Sequence, residues 1–143
     1  MIIPKLDFEK LAHAAGDAII AADADGSIIF WNPAAERIFG YTRSEAVGHS
    51  LDLIIAERFR ERHWEGYRKV MRTGHTRYGS EVLRVPAVHK DGRSLSIAFT
   101  VALLPSANGE VEAIAAIVRD ETIRWNEERA LRRRLAELEA KRS

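Results

Sequence analysis

Residues 31–51 read WNPAAERIFGYTRSEAVGHSL, and the helix signals in this stretch decide the fold. Asn32 predicts a helix N-cap, and Pro33 fits the first helical position, where its missing N–H has no intrahelical partner. Thr42 and Glu45 have the spacing of a capping box, which predicts the start of a second helix. A glycine follows each helical pattern and predicts its end. The stretch therefore predicts two short helices in succession.

Strand patterns lie on both sides of these helices. Before them, two apolar runs flank an Asp-Gly turn, which is typical of a hairpin. After them come three further strand-like runs, separated by Lys-Asp-Gly and Asn-Gly turns. The predicted strands are residues 18–23, 27–31, 81–89, 94–105 and 111–119. Five antiparallel strands with helices inserted over one face predict an α+β fold.

A longer helix is predicted within residues 57–79, which read ERFRERHWEGYRKVMRTGHTRYG, with Thr-Gly at 73–74 as its end. At about 100° per residue, one face of this helix contains Phe59, His63, Gly66, Tyr67 and Val70. An imidazole aimed from a helix into a core needs a partner, because an unsatisfied buried polar group costs roughly 1–3 kcal/mol. That partner could be a backbone carbonyl, a water molecule or a metal.

The composition excludes several classes of protein. A chain of 143 residues with 46% apolar residues suits one domain with its own core. The net charge of +1 provides no global field for nucleic acid or anionic lipid. The absence of cysteine excludes disulfides, thiolate metal sites and cysteine photoadducts. No signal peptide or membrane-spanning run is visible, so we expect a cytoplasmic chain with no membrane partner.

The sequence indicates three segments. A short N-terminal cap helix is expected in residues 1–16, a globular domain in 17–120, and an amphipathic helix in 121–143. The apolar stripe of the last helix contains Ile123, Leu131, Leu135 and Leu138. Such a helix either packs on its own domain or serves dimerisation and output coupling. We favour the second interpretation, because the stripe continues beyond the end of the globular domain.

Catalytic signatures are missing from the sequence. Neither H-E-x-x-H, nor a phosphate-binding loop, nor G-x-S-x-G, nor a dinucleotide fingerprint is present. Asp23 and Asp25 are neighbouring carboxylates, but they lie in a predicted turn and are typical turn formers. We therefore expect no enzyme activity.

The order of these motifs resembles the PAS family. WNPAAERIFGY resembles the family's N-x-A-x-x-x-x-x-G-Y/W run, and RDET at 119–122 resembles the ending that introduces a coupling helix. The resemblance covers residues 17–122 and implies a five-stranded antiparallel sheet that cradles a pocket, with helices over its mouth. It also implies a sensory domain that signals through a terminal helix to a kinase, a cyclase or another regulator.

Residues 60–67, RERHWEGY, resemble more closely the RSRH-x-x-Y run of the haem-binding oxygen-sensor PAS domains of the FixL type. That resemblance implies haem b as the cofactor and His63 as the axial ligand of its iron. The implied cofactor-binding set is His63, Phe59, Tyr67, Val70, Leu83, Phe99 and Val101. Candidate partners for the haem propionates are His75, Arg77 and Arg84.

The distal side departs from this branch. The oxygen-sensor domains have a distal arginine there, and Leu83 occupies the corresponding position in this chain. An apolar distal side suits CO, NO or a second axial ligand as well as O2. We therefore expect a diatomic gas or a redox state to be the signal, without a choice between them.

Two alternatives remain open at the level of sequence. The domain could sense another small molecule, such as a carboxylate or an aromatic metabolite, with His63 as a polar contact. It could also be a ligand-free module for dimerisation and partner docking, with a filled core. In each case we expect a homodimer formed through the terminal helices and no direct contact with nucleic acid.

Overall fold

The computed structural model describes residues 4–76 and 80–142. Its centre is one antiparallel sheet of five strands in the order β2-β1-β5-β4-β3. The strands are β1 (Ala18–Asp23), β2 (Ile28–Trp31), β3 (Leu83–Val88), β4 (Ser94–Pro105) and β5 (Val111–Asp120). The helices are α1 (Phe8–Ala14), α2 (Pro33–Phe39), α3 (Arg43–Ala46), a 3₁₀ helix (Leu51–Ile54), α4 (Glu57–Thr73) and α5 (Thr122–Arg142). The predicted α+β architecture is confirmed.

The helix boundaries follow from their caps. The Asn32 side chain accepts a hydrogen bond from the Ala35 N–H at the start of α2, as its N-cap position predicts. The Thr42/Glu45 capping box forms in both directions at the start of α3. Gly40 ends α2 with φ 82°, a left-handed conformation that a side chain would strain. These local signals fix where the helical segment meets the sheet.

The packed core lies between the sheet and the first helices. Trp31 and Phe39 are almost fully buried, and their ring centroids lie 5.6 Å apart. Small residues of α2 and α3 allow these helices to approach the sheet closely. Ala35 and Ala46 accordingly have no exposed surface. The remaining buried apolar members of this cluster are Ala18, Ile20, Ile28, Ala34, Ile54, Ala87, Leu95, Ile97 and Val118.

One buried polar side chain connects α1, β1 and α2. Asn32 has 0% exposure. Its Oδ1 accepts from the N–H groups of Ile19 at 2.9 Å and Ala35 at 3.0 Å. Its Nδ2 donates to the carbonyl oxygens of Ala12 at 2.9 Å and Asp17 at 3.1 Å. All hydrogen-bonding atoms of the amide are therefore satisfied, so its burial stabilises one arrangement of the three elements.

The two terminal helices have no buried residues. Leu131 is 68% exposed, Leu135 57% and Leu138 50%, so the apolar stripe of α5 does not pack on its own domain. The division into segments 1–16, 17–120 and 121–143 stays a prediction. Within residues 4–76 and 80–142, no helix has the length and apolar character needed to cross a bilayer.

Candidate functional site

A cavity of about 320 Å³ lies between α4 and the sheet. Its helical wall contains His63, Gly66, Tyr67, Lys69 and Val70, and Leu51 of the 3₁₀ helix closes one side. Its sheet wall contains Ile20, Ala22, Leu83, Phe99, Val101, Ile114 and Ala116. His75 and Thr76, which follow α4, complete the lining. The volume lies at the lower end of the range of about 300–1,000 Å³ that is typical of ligand pockets.

The structure brings six of the seven predicted site residues to this cavity. Phe59 is the exception, because it is absent from the lining residues. Its ring instead lies under the guanidinium of Arg58, with 4.7 Å from Cζ to the ring centroid. Phe59 is one turn before His63, and the cavity begins beyond it. The predicted cavity-facing side of α4 therefore extends one turn further towards the N-terminus than the observed lining.

The imidazole of His63 has an unpartnered buried atom. Its Nδ1 is buried and has no hydrogen-bond partner among the residues that the structure describes. The ring packs against Trp64, with centroids 4.6 Å apart, and against Tyr67, at 5.8 Å. Most buried polar groups in native proteins are paired, so an orphaned nitrogen beside a cavity indicates a missing interaction.

Burial lowers the pKa of His63 below its ordinary value, and the nearby carboxylate of Asp52 opposes this shift only in part. The imidazole is therefore neutral at physiological pH. A neutral imidazole has one nitrogen lone pair free to accept a hydrogen bond or to bind a metal ion.

Two aromatic neighbours fix the position of α4. The Trp64 Nε1 donates to Asp52 Oδ1 at 2.7 Å, and the Tyr67 hydroxyl donates to the Asp23 carbonyl oxygen at 2.5 Å. The Trp64 ring lies directly over Gly26, where a Cβ atom would come within 2.1 Å of the ring. Burial raises the pKa of Tyr67 to about 12, with Asp23 and Asp25 as lesser causes, so the hydroxyl stays a donor.

The sheet wall is apolar. Leu83 of β3 pairs with Phe99 of β4, and Val101 pairs with Ala116 of β5. Leu83, Phe99 and Val101, which the resemblance implies for the opposite wall, all line the cavity. Ala22 and Ala116 also line the cavity, and these small side chains leave space between sheet and helix.

The rim contains some of the predicted basic residues. His75 lines the cavity and is exposed, as is Lys69. Arg84 does not reach it, because its side chain lies on the other face of β3 and pairs with Glu121 at 3.4 Å. Arg77 lies outside the described residues. Two basic side chains therefore stand at the mouth of an otherwise apolar cavity.

Sequence reasoning did not identify Lys69 as a cavity residue, because the helical periodicity assigns it to the polar side of α4. It also missed the alanines of the sheet wall. The available signal for these alanines was the abundance of small residues in the runs AIIAAD of β1 and AIAAIV of β5. Such residues on a sheet face leave space for a cavity. Among residues 4–76 and 80–142, no group of three or more His, Asp and Glu side chains could hold a metal ion.

Comparison with known proteins identifies the family. A family model described as the PAS fold matches residues 6–120. This chain belongs to the PAS family. It is therefore a sensory PAS domain, and the expected membership and five-stranded fold are confirmed.

Individual relatives of this PAS domain include sensor proteins. The oxygen sensor protein DosP of Escherichia coli is 30% identical over 116 residues, which are 81% of this chain and 14% of that protein. The sensor protein FixL of Bradyrhizobium diazoefficiens is 37% identical over 54 residues, which are 38% of this chain and 11% of that protein. The PAS domain thus spans about a seventh or less of the length of these relatives.

Solved structures agree on the fold. The crystal structure of a PAS domain from Colwellia psychrerythraea has a TM-score of 0.70 and 23% identity, and covers 80% of this chain and 94% of its own. At this level of identity the likeness concerns the fold alone.

Proposed function

We propose that this PAS domain binds haem b through His63 and senses a diatomic gas or a redox state. The observation that carries the proposal is the neutral, half-buried imidazole of His63, whose buried Nδ1 has no partner among the described residues and which borders a largely apolar cavity. The oxygen sensor relative and the RERHWEGY resemblance support the same assignment.

The lining residues fit the chemistry of haem. A porphyrin has two apolar faces, which suit Leu83, Phe99 and Val101 on the sheet wall. Its propionates require polar partners, and Lys69 can supply an ion pair and His75 a hydrogen bond from the cavity lining. The volume of about 320 Å³ is small for a macrocycle, so haem binding would require the cavity to widen.

When bound, haem supplies an iron centre that binds a gas molecule or changes its redox state. His63 would hold that centre through a nitrogen lone pair of its imidazole, which burial keeps free of a proton. Tyr67 and Trp64 pack against the ring and orient it, since their hydrogen bonds anchor α4 to Asp23 and Asp52. The apolar sheet wall excludes water from the space opposite His63.

A route from the cavity to the terminal helix runs along β5. Ile114 and Ala116 line the cavity, and the same strand continues directly into α5. The Thr122 hydroxyl accepts from the Ser96 N–H at 3.0 Å, which ties the start of α5 to β4. A displacement of the sheet wall is thereby transmitted to α5, whose exposed leucines are available for a second copy. Output to a kinase, a cyclase or another regulator is part of this proposal.

The volume of the cavity favours a second candidate ligand. A space of about 320 Å³ with an apolar lining accepts a small aromatic or carboxylate metabolite without any opening of α4. In that case His63 donates or accepts a hydrogen bond, and Lys69 pairs with the carboxylate. An open cavity in either case supports ligand binding over a ligand-free docking module with a filled core.

Visible absorption of the full chain titrated with haem tests the proposal. We expect a Soret band that saturates at one haem per chain and is lost in His63→Ala. His13→Ala is the matched control, because His13 is an exposed histidine on α1 that does not line the cavity, and it should leave the band unchanged. Far-ultraviolet circular dichroism of each variant verifies folding.

Two results would overturn the proposal. One is a wild-type chain that stays colourless after reconstitution, and the other is a band of equal intensity in folded His63→Ala. If the chain stays colourless, a rise in melting temperature with an aromatic carboxylate then supports the second candidate.

A further inference from the structure

A second concavity, independent of the haem proposal, lies between the edge strand β3 and α5. This groove encloses about 720 Å³, more than twice the volume of the cavity under α4. Its floor contains the apolar side chains of Val85, Pro86 and Leu95 together with the indole of Trp125. Neither the motifs of the family nor the site under α4 accounts for it.

The charge of the groove is strongly one-sided. Four arginines line it, namely Arg58, Arg84, Arg129 and Arg132, against the single carboxylate of Glu128. Arg84 pairs with Glu121 at 3.4 Å, just outside the lining. Within the described residues, no carboxylate lies within ion-pair distance of the other three. A chain with a net charge of only +1 thus concentrates unpaired cations in one place.

The groove and the leucine stripe overlap only in part on α5. At about 100° per residue, the groove residues Trp125 and Arg129 lie roughly 120° around the helix from Leu131 and Leu135. Arg132, which also lines the groove, lies closer to the leucines. A second copy that pairs through the leucines would therefore leave the side of the groove around Trp125 open.

We propose that this groove docks an acidic peptide segment of a partner protein. Carboxylates of the segment pair with Arg58, Arg129 and Arg132, and its apolar side chains cover Trp125 and Pro86. Arginine and tryptophan are the residue types that carry most of the binding energy at interfaces. The guanidinium of Arg129 already lies over the Trp125 ring, with 5.0 Å from Cζ to the centroid, which holds it towards the groove.

The surroundings of the groove favour a short acidic segment over a polyanion. Glu128 lines the groove, and Glu121 lies beside it. These carboxylates repel a continuous phosphate backbone, whereas the carboxylates of a peptide can be placed between them. An apolar floor under a basic rim also matches alternating acidic and apolar side chains.

An occupant of the groove would brace α5 against the sheet. The groove is lined by β3, the start of β4 and the first three turns of α5, so one ligand contacts the sensory domain and its terminal helix together. Docking of the partner thereby fixes the angle at which α5 leaves the domain.

Fluorescence anisotropy of the full chain with a labelled peptide EELEELEE tests this assignment, with KKLKKLKK as the opposite-charge control. The groove variant is Arg129→Ala with Arg132→Ala. The matched variant is Arg133→Ala with Arg134→Ala, which removes the same charge from the same helix outside the groove lining. We expect the acidic peptide to bind, the groove variant to weaken it roughly five- to tenfold, and the matched variant to change it less than twofold.

Equal weakening by the two variants, or no binding of the acidic peptide, overturns the proposal. Tighter binding of a single-stranded RNA of equal charge, lost in the groove variant, assigns the groove to nucleic acid instead. A dimer that dissociates only in the groove variant, measured by sedimentation without peptide, assigns it to a second copy. Both of these results contradict an acidic peptide as the occupant.

Discussion

The same sheet is covered in two different ways. At one end, α2 and α3 press Trp31, Phe39 and small alanines against it with almost no exposed surface. At the other end, α4 spans a cavity, and Tyr67 is its one buried residue. The first region has its polar atoms paired, as at Asn32, whereas the second has an orphaned nitrogen at His63. The fold is thus stabilised mainly by the packed region, which leaves the other region free to hold a ligand.

Removing the central amide of the packed region should have the largest effect. In Asn32→Ala, four backbone groups lose their partner, among them the N–H of Ile19 and the carbonyl of Asp17. We expect a loss of about 3–5 kcal/mol in the free energy of unfolding, because each buried unsatisfied group costs about 1–3 kcal/mol. Chemical denaturation measures it. Asn126→Ala on the exposed helix α5 is the control, and an equal loss there would contradict the comparison.

Alanine substitutions at two glycines distinguish the cost of backbone strain from the cost of a clash with the Trp64 ring on α4. Gly26 and Gly48 both have positive φ, at 82° and 90°, but only a Cβ at Gly26 meets the Trp64 ring. We expect Gly48→Ala to cost about 1 kcal/mol from strain alone and Gly26→Ala about 2–3 kcal/mol. Thermal denaturation of the two variants gives the difference. Equal losses would show that Trp64 does not hold α4 in place.

Acidification should lower the free energy of unfolding through protonation of His63. Because burial lowers its folded-state pKa, the unfolded chain binds a proton more readily as pH falls through about 6.5. The free energy of unfolding therefore decreases from pH 6.5 down to the folded-state pKa and is independent of this group above that window. Urea denaturation between pH 7.5 and 5 should show a shallower slope in His63→Gln. His49→Gln, an exposed control, should keep the wild-type slope, and unchanged slopes in both variants would contradict a lowered pKa of His63.

Sequence reasoning reached most of the fold, because caps and turns are local signals. The capping box at Thr42 and the terminator Gly74 lie where they were predicted, and β4 has its predicted bounds. The cavity was harder to predict, because its existence depends on the distance between α4 and the sheet. Lys69 reaches the rim through a long side chain that periodicity cannot place.

Arg84 was a candidate for the cavity rim, but the fold places it elsewhere. Alternation along β3 separates it from Leu83, and the structure pairs it with Glu121 beside the second groove. Only the fold brings α5 next to β3, so the basic groove leaves no contiguous motif in the sequence. Local sequence patterns do not predict such contacts between segments that are distant in the chain.

The identity of the iron ligand is the most direct test of the central claim. Resonance Raman spectra of the reconstituted ferrous chain, prepared with and without ¹⁵N-labelled histidine, report the iron–histidine stretching band. We predict a band that shifts with the label in the wild type, disappears in His63→Ala and returns when free imidazole is added. A haem-loaded wild type whose band is absent or insensitive to the label would contradict the assignment of His63.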